Sequence, residues 1–498
     1  MRKQLCISAF AWLRPSALGL AALGLLAGCK PVGPNYTRPT YTAPPVYKEV
    51  GAPSVIVPPP NPDGGTWKPA TPSDGMLKGK WWEIYNDPQL NKYEERIAGY
   101  NQAVRQAMEN YLAARDEVLN ARSQLYPRLG AGPSFTHEVT SRNGPNVGRT
   151  DKTSYNDLLL AGAGSWEPDF WGKVRRNIEA THATEQADAA DMAGVSLMLE
   201  SEMAADYFSL RGADAQIQVL QSTVTELERQ LKLTEKRRDG GVATDVDVAQ
   251  ARTQLDTVKA QLIDLSVARA QFEHAVGTIA DYKLPNFSIP FSPLSGSLPN
   301  VPLGVPSQLL ERRPDIASAE RQTQAANAQI GIAIAAFYPD ITLNGTGGFE
   351  STHGGTWIQG PSALWALGGA VTELLIDGGQ RRALTDEARH KYEAQVSGYK
   401  GVVFLAFEDV ENNLSTLRIL NEEQATERLA VASAQHSLDL SNQRYKGGVT
   451  SYLEVITAET TLLNNQRVLT DLETRQFAAS VQLVRSLGGG WDASQLPK

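Results

Sequence analysis

Arg238-Asp239-Gly240-Gly241-Val242-Ala243-Thr244-Asp245-Val246-Asp247-Val248 is answered further along the chain by Tyr445-Lys446-Gly447-Gly448-Val449-Thr450-Ser451-Tyr452-Leu453-Glu454-Val455, at an offset of 207 residues. The same offset carries Leu231 onto Leu438, Leu255 onto Leu462, Leu262 onto Leu469 and Leu265 onto Leu472. A self-match of this length is an internal duplication. Each copy reads as helix, glycine pair, helix. Glycine reaches the left-handed conformation that ends a helix without strain, and a Thr or Ser two or three residues later can cap the next one.

Outward from the turns, Val248, Leu255, Val258, Leu262, Leu265, Phe272 and Val276 recur at the spacing of a coiled-coil seam, as do Leu220, Val224, Leu227 and Leu231 before the first turn. No proline interrupts 171–238 or 379–446. At ~1.5 Å per residue each run would make a rod of roughly 100 Å, far longer than a compact domain uses.

Two shorter stretches precede each rod, at about 129–141 and 153–167, then at about 341–351 and 363–376. Glycine, proline, aromatic and β-branched residues replace the helical pattern there. In the third stretch Ile341, Leu343 and Phe349 fall on one side and Thr342, Asn344, Thr346 and Glu350 on the other, the alternation of a strand. Tyr126-Pro127 is echoed by Tyr338-Pro339 and Arg175-Arg176 by Arg381-Arg382. Each unit is therefore helix, two strands, long helix, glycine turn, helix. Asp87-Pro88 predicts the start of the first helix, running to near Leu125.

The expected organisation is a signal peptide at 1–28, an extended lipidated segment at 29–86, a first repeat at 87–280 and a proline-rich connector at 281–306. A second repeat at 307–487 and a tail at 488–498 follow. The helices following the turns are expected at about 244–280 and 450–487. Residues 1–28 have a basic start, an apolar run and a small-residue end, as secretory signals do. They close on Leu26-Ala27-Gly28-Cys29, which resembles the lipobox of bacterial lipoproteins and makes Cys29 the expected lipidation site. Cys6 leaves with the signal, so no disulfide is expected. Lys30 follows Cys29 in place of an inner-membrane retention aspartate, so the outer membrane is the expected destination.

The formal net charge is −8, and loss of Arg2, Lys3 and Arg14 with the signal leaves about −11, which argues against nucleic acid as a partner. The six histidines share no metal-ligand spacing, and no catalytic, metal or cofactor constellation is expected beyond the covalent lipid. No apolar run after the signal approaches the ~20 residues of a spanning helix, so any crossing must use strands. Four strands cannot close a barrel that needs at least about eight, so the chain must associate with copies of itself to span. A small soluble sheet capping a helical bundle is the other reading of the four strands.

These residues resemble the TolC-like outer-membrane efflux proteins, in the lipoprotein branch that serves resistance-nodulation-division pumps. The resemblance rests on Cys29-Lys30-Pro31-Val32-Gly33-Pro34-Asn35-Tyr36, Trp81-Trp82 with Asp87-Pro88 and Leu90, Tyr126-Pro127, Asp169-Phe170-Trp171-Gly172, Glu311-Arg312-Arg313-Pro314-Asp315-Ile316, Ala335-Ala336-Phe337-Tyr338-Pro339 and both glycine turns. It implies a mainly α fold with a small β part: a homotrimer whose four strands per chain make a twelve-stranded transmembrane barrel, continued as an α-helical coiled-coil tunnel through the periplasm of a Gram-negative cell. It implies a periplasmic adaptor and an inner-membrane pump as partners, with small molecules (drugs, toxic compounds or metal ions) as cargo. It also implies that the turns, at Arg238, Gly240, Gly241, Val242, Tyr445, Gly447, Gly448 and Val449, dock the adaptor.

By the same resemblance, Leu453, Thr457 and Thr460 occupy the places of an apolar ring, an acidic ring and a basic partner at the closed tip. The two threonines depart from that pattern. Glu454 and Glu459 flank them, and a carboxylate ring or a plain solvated helix face are the two roles open to either. A periplasmic adaptor lipoprotein and a protein-secretion duct of the same architecture are the rival functions.

Overall fold

A computed structural model of the chain describes residues 30–41, 43, 44, 46–50, 79–139, 141, 154–301 and 309–497. Cys29, the signal segment, much of the proline-rich strap, the start of the second repeat and part of the loop between the first two strands lie outside the described residues. The elements are α1 (Pro88–Tyr100), α2 (Gln102–Ser123), β1 (Arg128–Val139), β2 (Ser154–Trp166), α3 (Lys173–Asp239), α4 (Asp245–Ile279), α5 (Pro314–Ala335), β3 (Asp340–Ser351), β4 (Ala363–Thr372), α6 (Gln380–Lys446) and α7 (Tyr452–Ser486), with a single helical turn at Leu309–Arg312. The duplication is visible in the lengths: α3 and α6 each have 67 residues, α4 and α7 each 35.

Two boundaries differ from the sequence expectation. The first helix is not continuous to Leu125. It breaks at Asn101, whose backbone turns extended and whose Oδ1 accepts from the Ala103 and Val104 amides, starting α2 afresh. An Asn side chain that offers the backbone such a partner competes with the helix ladder. The second repeat opens on the single turn Leu309–Arg312 and starts α5 afresh at Pro314, which disfavours the helical conformation in the residue before it. The fourth strand ends at Thr372 rather than 376, because its partner β3 begins at Asp340, opposite Thr372.

The chain divides into two compact units. One comprises residues up to Pro39, Leu112–Gln186 and Glu320–Ser397. It holds a four-stranded antiparallel sheet in the order β1-β2-β3-β4. The register places Leu129, Phe135, Leu160, Trp166, Leu343, Phe349, Trp365, Leu367 and Val371 on one face and Arg128, Thr136, Glu138, Asp157, Asn344, Thr346 and Glu350 on the other. β1 and β4 each keep one ladder edge without a partner among the described residues. Next to the strands Trp171 stacks on Tyr338 with ring centroids 4.8 Å apart and donates its indole N–H to the Pro339 carbonyl at 2.8 Å.

The other unit comprises Thr40–Tyr111, Ala187–Ala319 and Gly398–Lys498. Its largest core gathers Trp81, Leu90, Tyr93, Ile97, Met203, Tyr207, Tyr399, Val403 and Val481. Asp87 caps α1 by accepting from the Gln89 and Leu90 amides, with Pro88 in the first turn. Two smaller clusters follow the seams: Leu220, Leu227, Leu255, Val258 and Leu463 in one, and Ala434, Leu438, Tyr445, Tyr452, Val455 and Leu462 in the other. No described helix is long and apolar enough to cross a membrane.

Candidate functional site at the glycine turns

Both turns lie in the second unit and share one backbone design. In the first, the Val242 amide bonds the Arg237 carbonyl at 2.8 Å and the Gly241 amide the Arg238 carbonyl at 2.8 Å; in the second, Val449 bonds Arg444 at 3.0 Å and Gly448 bonds Tyr445 at 3.0 Å. This pair of bonds is the Schellman closure, which needs a left-handed residue just past the helix. Gly241 (φ 76°) and Gly448 (φ 72°) supply it. Gly240 and Gly447 have negative φ and room for a Cβ at ordinary contact distance, so only the second glycine of each pair is required by the backbone. Thr244 then opens α4 with a capping box closed by Asp247. Ser451, the corresponding expectation in the second copy, makes no side-chain cap bond.

The side chains of the two turns part company. Around the first, Arg238 pairs with Asp239 at 2.7 Å and with Asp245 at 3.7 Å, and Arg252 with Glu235 at 3.6 Å, all near solvent. Around the second, Tyr445 and Tyr452 pack with ring centroids 5.3 Å apart, and the Arg237 guanidinium sits 4.7 Å from the Tyr445 centroid. Tyr452 donates to Gln230 Oε1 at 3.1 Å, and Gln230 Nε2 donates to Glu459 Oε1 at 3.4 Å. This chain ties α7 to α3 just inside the turn.

Glu459 is only 4% exposed, so the solvated-face reading of that residue is wrong. Its other carboxylate oxygen, the Tyr445 hydroxyl and Arg237 Nε are buried without a hydrogen-bond partner among the described residues. Burial first, then the negative charge of Glu226, pushes the Glu459 carboxyl up to about 7, against the bond from Gln230. Burial also raises Tyr452, with Glu459 adding to it. Tyr445 is equally hidden at 7% exposure, so its ring supports the turn from within and is not displayed for docking.

The other expected site residues stay outside. Leu453, Glu454 and Thr457 are exposed on one face of α7, with Leu453 at 56%. Glu454 pairs with Arg444 at 3.5 Å, and Thr457 turns its hydroxyl back to the Leu453 carbonyl at 2.9 Å. Thr460 points elsewhere and accepts from Gln254 Nε2 at 3.2 Å. Val242 and Val449 are exposed at the two tips, beside Arg238 and the glycines. Among the described residues no three His, Cys, Asp or Glu side chains gather as a metal site.

Gln230, which joins this column from α3, is not marked by the sequence pattern, whereas Tyr452 and the burial of Glu459 are. Tyr452, Val455, Glu459 and Leu462 recur at three, four and three residues, which is the seam and not the outer face.

The model of the outer membrane efflux protein family matches residues 95–279 and 305–489, one segment for each repeat. The toluene efflux pump outer membrane protein TtgF of Pseudomonas putida is 30% identical over 476 residues, 95% of this chain and 97% of that protein. The pyoverdine export outer membrane protein OpmQ of Pseudomonas aeruginosa is 29% identical over 433 residues, covering 85% and 90%. Among solved structures, the outer-membrane channel OprN superposes with a TM-score of 0.83 at 26% identity, covering 92% of this chain and 99% of that one.

Proposed function

Because this chain belongs to the outer membrane efflux protein family, we propose that it is the outer-membrane channel of a tripartite efflux system, conducting small molecules delivered by a pump and an adaptor. One observation carries the reading: a four-stranded sheet with one apolar face, one polar face and two open edges, in a chain that also contains two 67-residue helices. Open edges cannot face hydrocarbon, since each unpaired backbone group there costs several kcal/mol. Pairing β4 of one copy with β1 of the next removes every edge, and three copies give twelve strands, an even number above the minimum of about eight. The face with Phe135, Trp365 and Leu367 then meets lipid, and the face with Asp157, Asn344 and Glu350 lines the lumen.

Cys29 carries the lipid in this account and holds the strap at the outer membrane. The exposed glycine turns dock the periplasmic adaptor, and a resistance-nodulation-division pump lies below. The exposed face of α7 with Leu453 and Thr457 forms the constriction, backed by the Tyr452–Gln230–Glu459 chain. Cargo does not transfer from relatives, because one is named for toluene and another for pyoverdine. The test is the native mass of the protein purified from outer membranes, with Cys29→Ser beside it. Three lipidated copies for the wild type, and loss of the acyl mass in the variant, support the reading. A monomer with no acyl mass overturns it in favour of a soluble bridging role.

A further inference from the structure

Arg176 and Arg382 are the second arginines of the two Arg-Arg pairs that open α3 and α6, and their surroundings differ. Arg176 is 3% exposed, and its guanidinium donates to the Val32 carbonyl (3.1 Å), the Gly33 carbonyl (3.1 Å), Asn35 Oδ1 (3.0 Å) and Glu179 Oε2 (2.7 Å). Strap and helix together give it four oxygens. Arg382 has no such partner among the described residues. It lines a cavity of about 370 Å3 with Arg389, Thr385, Asp386, Ile334, Phe337 and Tyr338. Arg389 donates to Asp386 at 3.2 Å, which uses the one carboxylate present and leaves the cavity with a net positive charge beside apolar and aromatic walls.

Two marks fix the depth of this cavity. Tyr338 lies two residues before β3 begins, and Leu374, Leu375 and Ile376, just after β4, are exposed. With the apolar face of the sheet in hydrocarbon, this junction is where aromatic side chains meet headgroups. The strap gives the second mark: the Val32 amide, three residues past Cys29, bonds the Trp171 carbonyl at 3.0 Å, and Trp171 stacks on Tyr338.

We propose that this cavity binds the phosphate of a membrane phospholipid, with Arg382 and Arg389 on the phosphate oxygens and Phe337 and Tyr338 against the first carbons of the glycerol ester. Guanidinium groups suit phosphate because their donors form a planar fork, and basic pockets beside spanning segments hold headgroups in this way. The site rests on the outer-membrane reading above.

The experiment is native mass spectrometry of the full lipidated protein with added phosphatidylglycerol, diacylglycerol and inorganic phosphate, on wild type, Arg382→Lys, and Arg382→Ala with Arg389→Ala. Wild type retains phosphatidylglycerol in preference to diacylglycerol, the double alanine variant loses about fivefold or more in retention, and Arg382→Lys keeps most of it. Equal retention by all three proteins overturns the site. Full displacement by millimolar inorganic phosphate assigns it to a free anion and overturns the lipid. Loss of the trimer in the double variant, with lipid retention per chain unchanged, assigns the arginines to contact between copies and also overturns it. Flotation with liposomes separates the two levels: wild type that floats but retains no phosphatidylglycerol sinks the site alone, and wild type that does not float sinks the outer-membrane reading as well.

Discussion

The two glycine turns have the same backbone and opposite interiors. At matched positions the first copy places Arg238, Asp245 and Arg252 where the second places Tyr445, Tyr452 and Glu459. The two copies share the Schellman closure, which depends on one left-handed glycine, while the seven-residue column beside it holds ion pairs near solvent in the first and a buried aromatic and carboxyl column in the second. The Arg238–Asp245 pair has side chains 39% and 90% exposed, so water and salt screen it, whereas Tyr452 is 1% exposed. The second turn is therefore the anchored one, and disturbing it should cost far more.

The comparison breaks most visibly at Tyr452. Tyr452→Ala leaves a cavity and takes from Gln230 Oε1 its hydroxyl donor, and is expected to cost about 3–5 kcal/mol of local stability. Hydrogen exchange in the first turns of α7 should accelerate accordingly, while Asp245→Ala at the matched place leaves α4 unchanged. Equal acceleration at the two turns would erase the distinction.

Next in size is pH. Glu459 has its carboxyl raised from an ordinary 4.5 to about 7 in the folded protein. The folded state therefore holds the proton more tightly, and the stability this confers is complete below about pH 4.5 and lost as pH rises through about 7. Protection of α7 should fall over that window by up to about 3 kcal/mol in the wild type and stay level in Glu459→Gln, measured by exchange at a series of pH values.

A smaller effect tests the shared backbone. Gly241→Ala and Gly448→Ala should each cost about 1–2 kcal/mol, because alanine resists positive φ. Gly240→Ala and Gly447→Ala should change little in the same assay. The smallest expected effect is at Arg238→Gln, where exchange rates should match wild type at about 0.15 M salt.

Much of this was legible in the sequence, for physical reasons. The left-handed requirement wrote glycine into both turns, the alternation of Ile341, Leu343 and Phe349 gave the strand, and the absence of proline over 171–238 and 379–446 gave the long helices. What was not read were side chains whose type contradicts their place. Glu459 sits on the buried stripe with Val455 and Leu462, and its charge concealed a spacing that was correct. Asn101 looked like one polar residue in a helix, because its capping role shows only when its Oδ1 meets the Ala103 amide. Arg382 could be told from Arg176 only once the strap was seen to fill one arginine's surroundings and not the other's.

The most direct test is single-channel current from the purified lipidated protein in a planar bilayer, wild type beside Tyr452→Ala and Asp245→Ala. Brief, mostly closed conductance steps are expected for wild type, longer openings for Tyr452→Ala, and wild-type behaviour for Asp245→Ala. A protein that inserts as a trimer and never conducts, or two variants that open alike, would contradict that expectation.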